Sequence, residues 1–418
     1  MSKPKATRKT RSAKTARKTK AARRTRPARA AAIRVADAIP PMPDLQGPHG
    51  IRRKGKLNSR ERWNRWFHYQ SVDFVPDMEF GWWNECWDVW PKQGLPSWVD
   101  NNYKGDVFFG LEQTGHFGGL NVGARPGFEA RVVEDRGDKR LIVDGGGVLC
   151  EIPKDGHSTI PHYLKFPIET REDWKEFRKR LDPGDPFRVP TDLEHPIQRC
   201  ERRDYALGIG CGSLFGVIRN WMGFENACAA VAEDPAWMEE MMEHLTNLTL
   251  SVISKVLPLI RFDCASFWED MAFRTGPMMS PAAFKKLMVP RYRRITDLLR
   301  KHGVDVVYLD CDGNITELAG LWLEAGVNCM FPIEVQGGSD PVQLRKTYGK
   351  SMLLMGGVDK HKLIAGKKAI DEELKRLAPL VEQGGFIPHV DHRCPPDVTY
   401  ENYLYYLHRK RKMFGIPE

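Results

Sequence analysis

Acidic side chains close almost every apolar run in the second half of this chain. Asp310-Cys311-Asp312-Gly313 ends VDVVYLD, Glu334 ends VNCMFPIE, Asp359 ends SMLLMGGVD and Asp391-His392 ends FIPHVDH. Glu269-Asp270 follows FDCASFW, and Asp77 and Glu79 lie in FVPDMEF. Carboxylates gathered in one place repel one another, so they must share protons or surround a cation. Asp310 and Asp312 are two residues apart, and alternate side chains of an extended segment share a face. Carboxylates so gathered, with the imidazole of His392 at the last strand's end, suit a hard divalent cation. The same atoms also suit a metal-free acid/base cluster, and Asp77, Glu269 and Asp270 are the expected catalytic carboxylates. Trp82, Trp83, Trp87, Trp90 and Trp98 fall within 17 residues. Their rings either wall a pocket for a flat or methylated substrate or pack as plain core. Trp82, Trp83, Arg219 and Asp359 are the expected substrate contacts.

These residues need elements that carry them to one place. From about residue 205 onward apolar strands alternate with helices. YALGIG (205–210), FDCASFW (262–268), VDVVYLD (304–310), VNCMFPIE (327–334), SMLLMGGVD (351–359) and FIPHVDH (386–392) read as strands. Asp234-Pro235, Ser280-Pro281 and Asp340-Pro341 open helices, and glycines close several of them. The expected helices run over about 235–260, 281–302, 315–325, 369–383 and 399–413. Strands this apolar, each followed by a helix, imply parallel strands covered on both faces. With FVPDMEF (74–80) as a further strand, they predict a (β/α)8 barrel over 58–418, preceded by a tail and Pro-rich linker (1–57). Residues 128–153 alternate differently and predict an inserted β-hairpin, and Thr170 opens an amphipathic helix. In such barrels the active site lies at the C-terminal ends of the strands, where the acids fall.

Composition bounds the rest. Residues 1–34 carry 14 of the 64 basic residues and no acid, which leaves 50 basic against 54 acidic side chains in the remainder. Such a leader cannot bury enough apolar surface to offset its ordering entropy and is expected to be disordered. Three roles suit it: a dispensable extension with translation from Met42, an organellar presequence, or non-specific nucleic-acid contact through phosphates. No run of 18 apolar residues occurs, so no membrane span is expected. The nine cysteines are scattered and never spaced Cys-x-x-Cys, which fits a reducing cytoplasm and excludes a disulfide scaffold.

The segments FWEDMAFRTGPMMSPAAFKKLMVPRYRRI, VVYLDCDGNITEL, GVNCMFPIE, LLMGGVDK and PPDVTYENY resemble, in this order, the uroporphyrinogen decarboxylase (URO-D) superfamily. The resemblance covers about residues 58–416 and implies a TIM barrel with a funnel at its C-terminal face. The superfamily includes cobalamin-dependent methyltransferases. Their zinc motif, His-x-Cys-Gly, falls where this chain has Asp310-Cys311-Asp312-Gly313. Their next glutamate matches Glu334, and their last cysteine falls at His392, so the resemblance implies Asp310, Asp312, Glu334 and His392 as ligands of zinc, manganese or iron, with His389 and Cys394 in reserve. True decarboxylases carry an arginine motif after the first strand; here that stretch supplies acids and tryptophans instead. The resemblance therefore implies metal-assisted methyl transfer from a small methylated substrate or a methyl-corrinoid brought by a partner protein. The alternatives are a decarboxylase of a carboxylated, porphyrinogen-like substrate, in which Asp77 or a neighbouring acid protonates the carbanion, and a nucleic-acid-associated protein acting through its tail. Homodimerisation stays open.

Overall fold

The computed structural model describes residues 55–154 and 160–417. The basic leader, and the expectations attached to it, lie outside these residues. A curled parallel sheet of seven strands forms the centre: β1 (Gly115–His116), β2 (Leu207–Gly210), β3 (Cys264–Trp268), β4 (Val307–Asp310), β5 (Cys329–Ile333), β6 (Leu353–Val358) and β7 (Phe386–Val390). Their order in the sheet is their order in the chain. In register, Gly208 faces Cys264, Leu309 faces Met330, and Gly357 faces His389. Every residue of β5, β6 and β7 is buried, because helices cover the outer face and side chains fill the inner one.

Each return to the next strand runs through helices whose starts are legible locally. The side chains of Asp234, Ser280, Asp340 and Thr399 accept backbone N–H groups from the first helical turns. The helix expected over 281–302 is two, Pro281–Leu287 and Val289–Lys301. Pro290 has no N–H to give to the preceding turn, and the Arg291 guanidinium donates there instead, to the Leu287 carbonyl at 3.1 Å and the Lys286 carbonyl at 3.5 Å. The helix expected at 315–325 begins later, as Ala319–Glu324. Among the described residues no helix is long and apolar enough to cross a membrane.

Two expectations need correction. The insertion is larger than a hairpin: Arg131–Arg136, Lys139–Val143, Leu149–Pro153 and His162–Lys165 form a four-stranded antiparallel sheet. FVPDMEF (74–80) is extended but is not a strand. Pro76 has no N–H to give, and the Val390 N–H is taken by the Glu79 side chain at 3.1 Å rather than by a main-chain carbonyl. The segment is nevertheless bonded on both sides. Asp77 accepts from Glu112 N–H at 2.8 Å, and Gly81 accepts from Cys394 N–H at 2.9 Å.

Candidate active site

β3 and β4 lie side by side, with Asp310 opposite Trp268, so the residues just beyond their ends meet. Asp270 sits at φ +41°, an unusual conformation for a side chain larger than glycine. There its Oδ1 accepts the Asp312 N–H at 3.1 Å. The turn that delivers Asp312 depends on Gly313, at φ +82°, where a Cβ would lie 2.4 Å from the Ala272 carbonyl. As a result one oxygen each from Asp270, Asp310 and Asp312 lies within 4.8 Å of the others. Burial, then the charges of its two neighbours, pushes the Asp310 carboxyl up to about 7, and burial followed by Asp312 raises Asp270.

His392 joins the cluster from the loop after β7. Its Nε2 lies 3.2 Å from Asp312 Oδ2. Burial disfavours the imidazolium, but the hydrogen bond and charge of Asp312, with Glu334 behind, outweigh it and raise the pKa. The ring stacks on Trp83 (5.3 Å, 23°) and meets Phe80 edge-on (5.4 Å, 74°). Trp83 keeps 41% of its surface exposed, so one face of this stack opens to solvent.

Glu334 stands one step away. Its Oε2 accepts the Gly313 N–H at 3.1 Å and its Oε1 accepts Lys360 Nζ at 3.0 Å. Lys360 also lies 3.7 Å from Asp391, which is fully buried and accepts the Val335 and Lys360 N–H groups. Burial pushes Asp391 up to about 6 against the pull of Lys360. Of the four expected ligands, Asp310 and Asp312 gather with Asp270. His392 and Glu334 touch the group's edge, through Asp312 and Gly313.

The remaining expected residues have other surroundings. Glu269 is fully buried; it accepts Leu214 N–H at 2.7 Å, Gly216 N–H at 2.7 Å, Ser213 Oγ at 3.0 Å and the Tyr292 hydroxyl. It anchors the start of helix Phe215–Met222 and has no spare oxygen for catalysis. Asp77 is buried between Lys410 and Arg411, both at 2.9 Å, and Glu79 shares Lys410 and accepts from Tyr406. These are structural ion pairs joining 74–80 to the final helix, Tyr400–Phe414. Asp359 caps helix Lys360–Ala365 through His361 N–H and accepts from Gln336. Trp82 is wholly buried against Trp87, Phe109 and Tyr403, so it is core and does not wall a pocket. Arg219 donates to the Asp270 carbonyl, with its guanidinium 5.5 Å from the Trp268 ring centre. His389 is buried and held neutral, its pKa pushed down to about 3 by burial. Cys394 is likewise buried, its thiol pKa far above the usual range. Phe80, Lys360 and Arg393 are not among the expected residues; the adjacency of Lys360 to Asp359 and of Arg393 to His392 is the signal for two of them.

Whether this group suits a metal can be judged from its donors. Asp312 Oδ1 is buried without a hydrogen-bond partner, and the gathered atoms are all carboxylate oxygens. Oxygens bound to one ion at about 2.1 Å lie at most about 4.2 Å apart, so the trio fits after closing slightly. Cys311 is fully buried and its thiol pKa is raised by burial, so it offers no thiolate. The donor set fits a hard divalent cation better than a thiolate-type zinc site.

A curled parallel sheet with a polar cluster at its C-terminal ends is the layout of enzymes that work from the mouth of a β/α fold. The family model "Uroporphyrinogen decarboxylase (URO-D)" matches residues 150–412. The chain belongs to this family. Among solved structures, a methyltransferase from Methanosarcina mazei is similar in fold, with a TM-score of 0.56 at 16% identity. The match covers 86% of this chain and 100% of that one. No curated protein sequence matches.

Proposed function

We propose that this chain is a methyltransferase-like enzyme of the URO-D family. In this reading a small methylated donor, or a methyl-corrinoid on a partner protein, gives its methyl group to an acceptor in the mouth described above. The observation that carries the reading is the His392–Asp312 pair, 3.2 Å apart and beside two further carboxylates. Asp312 orients the imidazole and stabilises its protonated form, which makes His392 a stronger base than free imidazole. His392 takes the proton of an acceptor X–H. The X–CH3 bond forms as the donor's bond to CH3 breaks, and the donor keeps the electron pair. Asp270, Asp310 and Asp312 would hold a divalent cation, which when bound supplies Lewis-acid stabilisation of charge on the acceptor or leaving group. Trp83 and Phe80 limit water around His392.

The extended segment 74–82 completes the barrel in this reading. Bonded to Glu112 on one side and Cys394 on the other, it would serve as the eighth stave. Residues 58–418 are then one barrel domain behind a separate tail, working on a small molecule in a soluble compartment.

The test is methyl transfer from methylcobalamin to mercaptoethanol with added Zn2+ or Mn2+, followed by the alkylcobalamin spectrum. Turnover is expected, falling by about 10²–10⁴-fold in His392→Ala. Equal rates in the two proteins would overturn the reading. A decarboxylase is the second reading, supported by Asp310: a carboxyl raised to about 7 carries the proton a carbanion needs. Release of CO2 from carboxylated substrates, lost in Asp310→Ala, would favour it.

A further inference from the structure

Arg393 follows His392 in the loop after β7, and its guanidinium lies 5.2 Å from the centre of the Phe80 ring. Phe80 is the ring that meets His392 edge-on. The Arg393 side chain is half-buried, yet among the described residues it makes no hydrogen bond and no ion pair. The more deeply placed arginines behave differently. Arg62, Arg188, Arg203, Arg291 and Arg345 all donate to carboxylates or carbonyls. The N–H donors of Arg393, unpaired among the described residues, stay open to solvent and can exchange water for an anion. Its position, one residue from His392 and close enough for its charge to be felt at Asp310, puts those donors at the mouth.

We propose that Arg393 is the anion anchor of the substrate pocket, and that the substrate is a flat molecule bearing one carboxylate. Guanidinium and carboxylate match as a bidentate fork. A single negative charge is favoured because Asp270, Asp310 and Asp312 stand nearby and would repel a dianion more strongly. A flat body is favoured because Trp83, which stacks on His392 and is 41% exposed, and Phe80, which lies under Arg393, place aromatic surface beside both residues. The inference rests on the reading of this mouth as a small-molecule site, and it adds the substrate class and a specificity-determining residue.

Benzoate and its neutral isostere benzamide test it, titrated against the full chain by calorimetry and by saturation-transfer NMR. Saturable benzoate binding is expected, weakened at least tenfold in Arg393→Met and partly restored in Arg393→Lys. Benzamide should bind more weakly and equally to all three. Thermal unfolding checks that each variant is folded; if Arg393→Met is not, the comparison of Arg393→Lys with wild type decides. Absence of saturable benzoate binding to the wild type overturns the proposal. Benzoate binding that survives Arg393→Met but falls in Trp83→Ala also overturns it, while leaving the mouth as the site. Binding unchanged in both variants removes the mouth reading as well.

Discussion

The Asp312 backbone N–H donates to Asp270 Oδ1 at 3.1 Å, so two like-charged residues are tied together by main chain. That bond lets three carboxylates crowd one spot, and the cost appears in their proton affinity. Burial, with the charges of Asp270 and Asp312, pushes the Asp310 carboxyl from an ordinary 3.8 up to about 7. A raised carboxyl binds its proton more tightly when folded, so its stability contribution is full below about pH 4 and is lost as pH rises through 7. For chelator-treated protein, the melting temperature is expected to fall between about pH 4 and 7. Asp310→Asn should flatten that fall, by about 1.4 kcal/mol for each tenfold difference in proton affinity between folded and unfolded chain. An unchanged pH profile in the variant would remove the electrostatic account of the cluster.

Gly313 lies where backbone meets backbone. A methyl group there would press on the Ala272 carbonyl at a φ of +82°. Gly313→Ala is expected to cost about 1–3 kcal/mol in urea unfolding and to lower divalent-ion uptake, because the turn carrying Asp312 must shift. Full stability with full uptake would show that the turn relaxes freely.

The adjacent tryptophans should separate in their effects. Trp82→Ala removes a buried ring and should destabilise by about 3–5 kcal/mol. Trp83→Ala removes a half-open ring beside His392, and its denaturation midpoint should stay close to wild type. Its turnover in the methylcobalamin assay should drop. Equal loss of stability in both would place Trp83 in the core.

Lys410 is the shared counter-ion of Asp77 and Glu79, at 2.9 and 2.5 Å. Lys410→Met leaves two carboxylates buried with less compensation and should cost about 3–5 kcal/mol. Asp77→Asn should lower the denaturation midpoint while leaving kcat per folded molecule unchanged. A selective loss of kcat with an unchanged midpoint would return Asp77 to the catalytic group.

What the sequence determined by itself was the succession of parallel strands from 205 to 392 and the acids at their ends. Strands buried on both faces must be apolar throughout, and a helix must return the chain after each, so the pattern is local and readable. The caps at Asp234, Ser280 and Asp340 are local in the same way. Tertiary structure alone decided which neighbour of each pair faces the mouth. Glu269 turns into the start of a helix and Asp270 into the carboxylate cluster, through a positive φ that no residue type announces. Trp82 and Trp83 divide likewise between core and mouth. The segment 74–82 follows the same logic: its apolar run resembles a strand, but the Glu79 side chain takes the Val390 N–H that a ladder would use. Whether a charge is paired, as Lys410 is and Arg393 is not among the described residues, depends on residues hundreds of positions away, and only the folded chain brings those together.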